Sequence, residues 1–163
     1  MDERPFYRRL PPGVIPGVVA LLALFVGIWL VARPEVEPKR VQEVGPRQRM
    51  VDLTNADRAA HDLEPLKLNR HVSRHAQRHT RQMVNAGTIF HSTPKQLRRA
   101  LEGFRWHLIG ENVGAGGSLE SLEDAFMGSP DHRANILNPD FERMAVGVIR
   151  AEDSTWVTVI YWG

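Results

Sequence analysis

The sequence predicts an α/β domain, helices packed on a small sheet, carried behind one N-terminal transmembrane helix. Three observations lead there: an uncharged apolar run near the N-terminus, apolar residues at helical spacing from about residue 50, and a switch to strand period after Pro139.

The apolar run GVIPGVVALLALFVGIWLVA, residues 13–32, would span about 30 Å as a helix, close to the thickness of a bilayer core. Pro16 and Gly17 weaken its first turn. The firm helix is therefore 18–32, short for a span and long for the apolar core of a signal peptide. Leu30 two positions before Ala32, and Pro34 just past it, disfavour cleavage, so an uncleaved anchor is expected.

Basic residues flank the run on both sides, Arg4, Arg8 and Arg9 before it and Arg33, Lys39, Arg40 and Arg47 after it, so charge does not set the orientation. The short flank of residues 1–12 does, being typical of a cytoplasmic flank whose large C-terminal domain crosses the membrane. The expected location is a single-pass cell-membrane protein with its domain extracytoplasmic. Residues 33–48, RPEVEPKRVQEVGPRQ, carry three prolines and mixed charge and read as an extended tether. The folded domain is assigned to residues 49–163.

Composition narrows the chemistry. The chain has 163 residues, a formal charge of +2 and no cysteine. That excludes disulfides, thiolate metal sites and a thiol nucleophile. Residues 1–48 hold seven basic and five acidic residues, so the remaining fourteen of each sign leave the domain neutral.

Within the domain, Met50, Leu53, Ala56 and Ala60 mark a first helix that ends before LEPL. A second runs from about Arg70 to Asn85, with Val72, Ala76, His79 and Met83 at heptad-like spacing and Gly87 as its stop. Thr93 and Pro94 open a short third helix through Leu101. Ser118 caps a fourth, with Leu119, Leu122 and Phe126 on one face. SPDHRANILNP, residues 129–139, opens a fifth, with Ser129 as cap and Pro130 at the first position. MAVGVIRA and TWVTVIYWG, separated by EDS, then read as an antiparallel hairpin.

Polar residues interrupt this plan at three places. IFHSTP puts His91 in a loop after an aliphatic-aromatic pair that calls for burial, and IGENVGAGGS puts Glu111 between Gly110 and a Gly-rich turn. A carboxylate so placed either accepts backbone N–H bonds and fixes its loop, or pairs with an imidazole across a cleft. His132 stands at the start of the fifth helix, either facing water or lining a site.

Taken in order, NADRAAHDLEPLKLN, AGTIFHS, GENV, SPDHRANILNP and the closing VGVI and WVTVIYWG resemble the CAP superfamily of cysteine-rich secretory, antigen 5 and pathogenesis-related proteins (SCP-like domains), its bacterial members most of all. The resemblance implies an α-β-α sandwich with a central cleft that can hold a divalent metal such as zinc. It carries over to His91, Glu111 and His132 as cleft and metal residues, with Asn112, Ser129 and Asn135 in support. The second acidic residue of larger members has no clear match, because Ser129 occupies its place, and Phe126 replaces the usual Trp before the Ser-Pro pair.

The expectation for function is a membrane-anchored extracytoplasmic binding module whose cleft takes a metal or small ligand. The alternatives are a hydrolase, metal-dependent or built on Ser129 with an imidazole and Glu111, and a purely structural polar network. A Ser directly before Pro at a helix start argues for a cap rather than a nucleophile. His71, His75 and His79 repeat every four residues beside a stripe of Arg70, Arg74, Arg78 and Arg81. This is either a solvated helix face or a contact for anionic lipid or an envelope polymer. No aromatic interleaving supports nucleic-acid binding.

Overall fold

A computed structural model describes residues 45–163. The flank 1–12, the anchor 13–32 and the tether up to residue 44 lie outside the described residues. Among the described residues no helix is long and apolar enough to cross a membrane.

Helix α1, Pro46–Ala59, begins three residues before the assigned domain boundary. Residues 46–48 are its first turn rather than the end of a tether. Pro46 sits where its fixed φ suits a helix start. The Arg47 Nε then donates to the Val146 carbonyl at 2.8 Å, a tertiary bond that composition could not show.

Strand β1, Lys67–Leu68, is followed by α2, Ser73–Ala86, which Gly87 ends at φ +64°. Thr93 closes a capping box with Gln96 and starts α3, Pro94–Ala100. Strand β2, Ile109–Gly116, replaces the expected Gly-rich turn. Helices α4, Leu119–Gly128, and α5, Pro130–Ile136, lead to the hairpin β3, Arg143–Ala151, and β4, Ser154–Trp162.

The four strands lie in the order β1-β3-β4-β2, with β1 parallel to β3 and the other pairs antiparallel. Both faces of this sheet are covered. Side chains alternate along β4, so Val157, Val159 and Tyr161 join one core with Met50, Leu122, Phe126 and Ile136, while Ile160 and Trp162 join another with Val72, Ala76 and Leu101. Helices α1, α4 and α5 therefore cover one face, and α2 and α3 the other, giving an α-β-α layering.

The second layer packs at backbone distance. A Cβ on Gly147 would overlap the Ala76–Gln77 peptide of α2, so only glycine fits there. The Gln77 side chain bridges the same gap, donating to the Val148 carbonyl at 2.8 Å and accepting from its N–H at 3.0 Å.

On the first face the buried Arg58 organises the approach to α5. Its guanidinium donates to the carbonyls of Glu64, Ile136 and Asn138 at 2.8 Å each, and to Phe141 at 3.3 Å. Burial is the main cause of its lowered pKa, offset by the facing Tyr161. Carbonyls left over at the end of α5 are thereby satisfied.

Candidate functional site

Strand β2 lies at the edge of the sheet, and its pleat divides two adjacent polar residues between the two faces. Glu111 pairs in register with Ile160 and Asn112 with Val159. Glu111 consequently belongs to the α2/α3 side and Asn112 to the α1/α4/α5 side.

Glu111 meets the loop between α2 and α3. Its Oε1 accepts from the Ser92 N–H at 2.8 Å and lies 2.9 Å from His91 Nδ1. The carboxyl side chain is 3% exposed, while the imidazole it holds is 59% exposed. With Nδ1–H donated to the carboxylate, the neutral ring keeps its lone pair on Nε2. The other carboxylate oxygen, Oε2, is buried and has no hydrogen-bond partner.

That loop is fastened from below. The buried His79 places Nε2 2.8 Å from the Phe90 carbonyl, with the Phe90 ring edge-on to its own at 5.2 Å. Ile89 and Phe90, which the sequence suggested would point inward, are 48% and 37% exposed beside His91. His79 anchors their backbone, and their side chains are left at the surface.

On the other side of β2, Asn112 and Asn135 tie the strand to α5. Asn112 Nδ2 donates to the His132 carbonyl at 3.0 Å, and Asn135 Nδ2 donates to Asn112 Oδ1 at 2.8 Å and to the Glu111 carbonyl at 3.3 Å. Gly110 is required by this arrangement, because a Cβ there would overlap the Asn135 carboxamide. The His132 ring lies against Phe126 at 4.9 Å. Burial holds its pKa below the ordinary histidine value, and nearby His91 lowers it further.

The sequence model of the cysteine-rich secretory protein family, CAP, matches residues 51–161. The chain belongs to the CAP family. YkwD of Bacillus subtilis (strain 168) is 30% identical over 115 residues, covering 67% of this chain and 44% of YkwD. An extracellular SCP-domain protein of Bacillus anthracis is similar in structure, with TM-score 0.62 and 28% identity over 72% of this chain and 40% of its own. An outer surface protein of Borrelia burgdorferi shares the fold, with TM-score 0.63 and 17% identity over 71% and 90% of the two chains. The chain spans less than half the length of YkwD and of the Bacillus anthracis protein.

Of the residues that the CAP resemblance singles out, His91 and Glu111 are in direct contact, and His132 is near enough to His91 to feel its charge. Among the described residues no three His, Asp or Glu side chains are grouped closely enough to hold a metal ion. Asn112 and Asn135 form a bonded pair. Ser129 occupies the position before α5, but its hydroxyl makes no capping bond; its carbonyl accepts the Arg133 N–H at 2.8 Å instead. The helical histidines separate too, since the His71 and His75 rings lie 6.4 Å apart and tilted while His79 turns into the core.

One feature of the CAP domain escaped the sequence reading. Glu123 on α4 is 2% exposed, with both carboxylate oxygens buried and unpartnered. Burial is the largest cause that raises its pKa to about 7; Thr54 opposes the shift and Asp57 adds to it. Its spacing gave a signal: position 123 is four residues past Leu119 and three before Phe126, on the apolar face of the helix.

Proposed function

We propose that the chain is a membrane-anchored extracytoplasmic binding module whose CAP cleft recognises a small ligand through His91, backed by Glu111. The observation that carries this is an exposed imidazole locked in one tautomer by a buried carboxylate. A histidine serving only the fold has no reason to present its free nitrogen to solvent, and the unpartnered Glu111 Oε2 argues against a self-contained network. Nε2 is an acceptor for an O–H or N–H group, and exposed Ile89 and Phe90 offer apolar surface beside it. Placement outside the membrane is supported by the apolar run 13–32 ahead of the domain and by similarity to an extracellular SCP-domain protein.

A divalent metal is the second reading, favoured by the free Nε2 and the orphaned Oε2. The side chains as arranged do not assemble a three-ligand set, so they would have to draw closer to complete one. Hydrolysis lacks a comparable observation, because the Ser129 hydroxyl makes no hydrogen bond to either imidazole or to Glu111.

The test follows the imidazole signals of the full chain by NMR, in maltoside micelles, during titration with zinc chloride and, separately, with soluble envelope glycan fragments. A saturable shift of the His91 signals that Glu111→Gln abolishes supports the binding reading, and zinc or glycan decides between its two forms. Unmoved His91 signals in both titrations, with Glu111→Gln lowering thermal stability only, would assign the pair to holding the loop.

A further inference from the structure

Behind the loop that carries His91, α2 and α3 enclose a cavity of about 420 Å³. Its polar walls come from His75, Arg78 and Gln82 on α2 and from Gln96 and Arg99 on α3. Leu97, Ala100 and Ile160 supply apolar surface, and the buried His79, whose Nδ1 has no partner, borders it. The groove that Arg74, Gln77 and Arg81 form with Arg47 is a separate depression, which Arg78 joins from the other side.

Among the described residues the charge in this cavity has no ion-pair partner. No carboxylate lines it, and among the described residues neither Arg78 nor Arg99 forms an ion pair. Ser92 connects the lining to Glu111, whose Oε1 is already engaged by His91 and the Ser92 N–H. His75 reports the same imbalance. Burial lowers its pKa most, and Arg78, His71, Arg74 and Arg99 all lower it further.

Like charges gathered over an apolar surface repel more strongly than in open water, and an anion among them is attracted in proportion. Guanidinium groups from two facing helices suit a tetrahedral oxyanion, which each can contact through paired N–H donors. The glutamines add neutral donors that fix orientation. A bare oxyanion leaves most of the volume empty, so the space fits a larger molecule carrying one.

We propose that the α2–α3 pocket binds the phosphate group of a small phosphorylated ligand, with Arg78 and Arg99 as charge partners and Gln82 and Gln96 as orienting donors. The body of the ligand rests on Leu97 and Ala100. The source of the phosphate is either a soluble monoester or a phospholipid headgroup. This site does not depend on the reading of the His91–Glu111 cleft, and its reporter is a different residue.

The test uses the full chain in maltoside micelles, with the ring signals of His75 followed by NMR. Inorganic phosphate, glycerol 3-phosphate and short-chain phosphatidylglycerol are titrated in turn, with sodium chloride matched in ionic strength as the control. The expected result is a saturable shift of His75 and a rise in its pKa, because a bound anion offsets the cations that depress it. Saturation by glycerol 3-phosphate identifies a soluble ligand, and saturation by the lipid alone identifies a headgroup. Arg78→Gln and Arg99→Gln, both at exposed positions, should each weaken binding about tenfold. Arg98→Gln, an exposed cation of α3 outside the pocket lining, should leave it unchanged. If the shift fails to saturate, is reproduced by chloride, or persists in the Arg78→Gln/Arg99→Gln double variant, the cluster is a solvated basic face and the proposal is overturned.

Discussion

Glu111 and Asn112 are adjacent in β2 and serve opposite layers of the sandwich. The carboxylate takes the loop of His91 from the α2/α3 side, and the carboxamide takes the start of α5 from the other. Two short motifs far apart in the chain are thereby referred to one strand.

Removing the charge of Glu111 while keeping its shape should loosen the loop without unfolding the domain. Bonds to a charged acceptor are stronger than neutral ones, so Glu111→Gln should cost about 1–2 kcal/mol. Thermal melting of the full chain measures the cost, and faster amide exchange at Ser92 is the expected local sign. Unchanged exchange at Ser92 would show that the carboxylate is not what holds the loop.

Loss of the Asn112 carboxamide leaves the Asn135 Nδ2 with only its 3.3 Å bond to the Glu111 carbonyl and takes a donor from the His132 carbonyl, so Asn112→Ala should cost about 2 kcal/mol. Because the two asparagines act as one unit, adding Asn135→Ala should cost less than the sum of the single changes. A double-mutant cycle by urea denaturation decides; strict additivity would mean that the pair is not coupled.

Glu123 makes stability depend on pH in a definite direction. Its folded pKa, about 7, is raised above the unfolded value near 4.5, so its contribution is fully present below about pH 4.5 and lost as pH rises towards and through 7. The whole swing is on the order of 3 kcal/mol. Glu123→Gln should therefore melt higher than the parent at pH 8 and close to it at pH 4.5. Parallel pH profiles for the two proteins would show that Glu123 does not ionise on this path.

Gly147→Ala should be among the most damaging small substitutions, because its Cβ would overlap the peptide of α2 that packs on β3. A loss above about 3 kcal/mol is expected, by separation of a helix from the sheet. Gly128→Ala, where nothing lies within 4 Å, is the control and should change stability by less than about 1 kcal/mol.

The proposed anchor makes a prediction of its own. A reporter that works only in the cytoplasm, fused after Gly163, should be silent, whereas one that works only outside should be active. A strong cytoplasmic signal would reverse the orientation.

Local chemistry alone determined much of this protein. Thr93 with Gln96 and Ser118 with Ser121 close capping boxes, Gly87 stops α2, and the period change after Pro139 yields the hairpin, because caps and periodicity act within a few residues. The motifs around His91, Glu111 and His132 were legible for the same reason, as short strings. Tertiary structure decided the rest. Glycines hid β2, since they make a poor strand by propensity and are kept where side chains of α4 and α5 press against the sheet. The alternation of β2 turned Glu111 toward the loop of His91 and Asn112 toward α5, which depends on register with β4, a pairing about fifty residues away. The basic α2–α3 cavity likewise exists only once Arg78 and Arg99 are folded face to face.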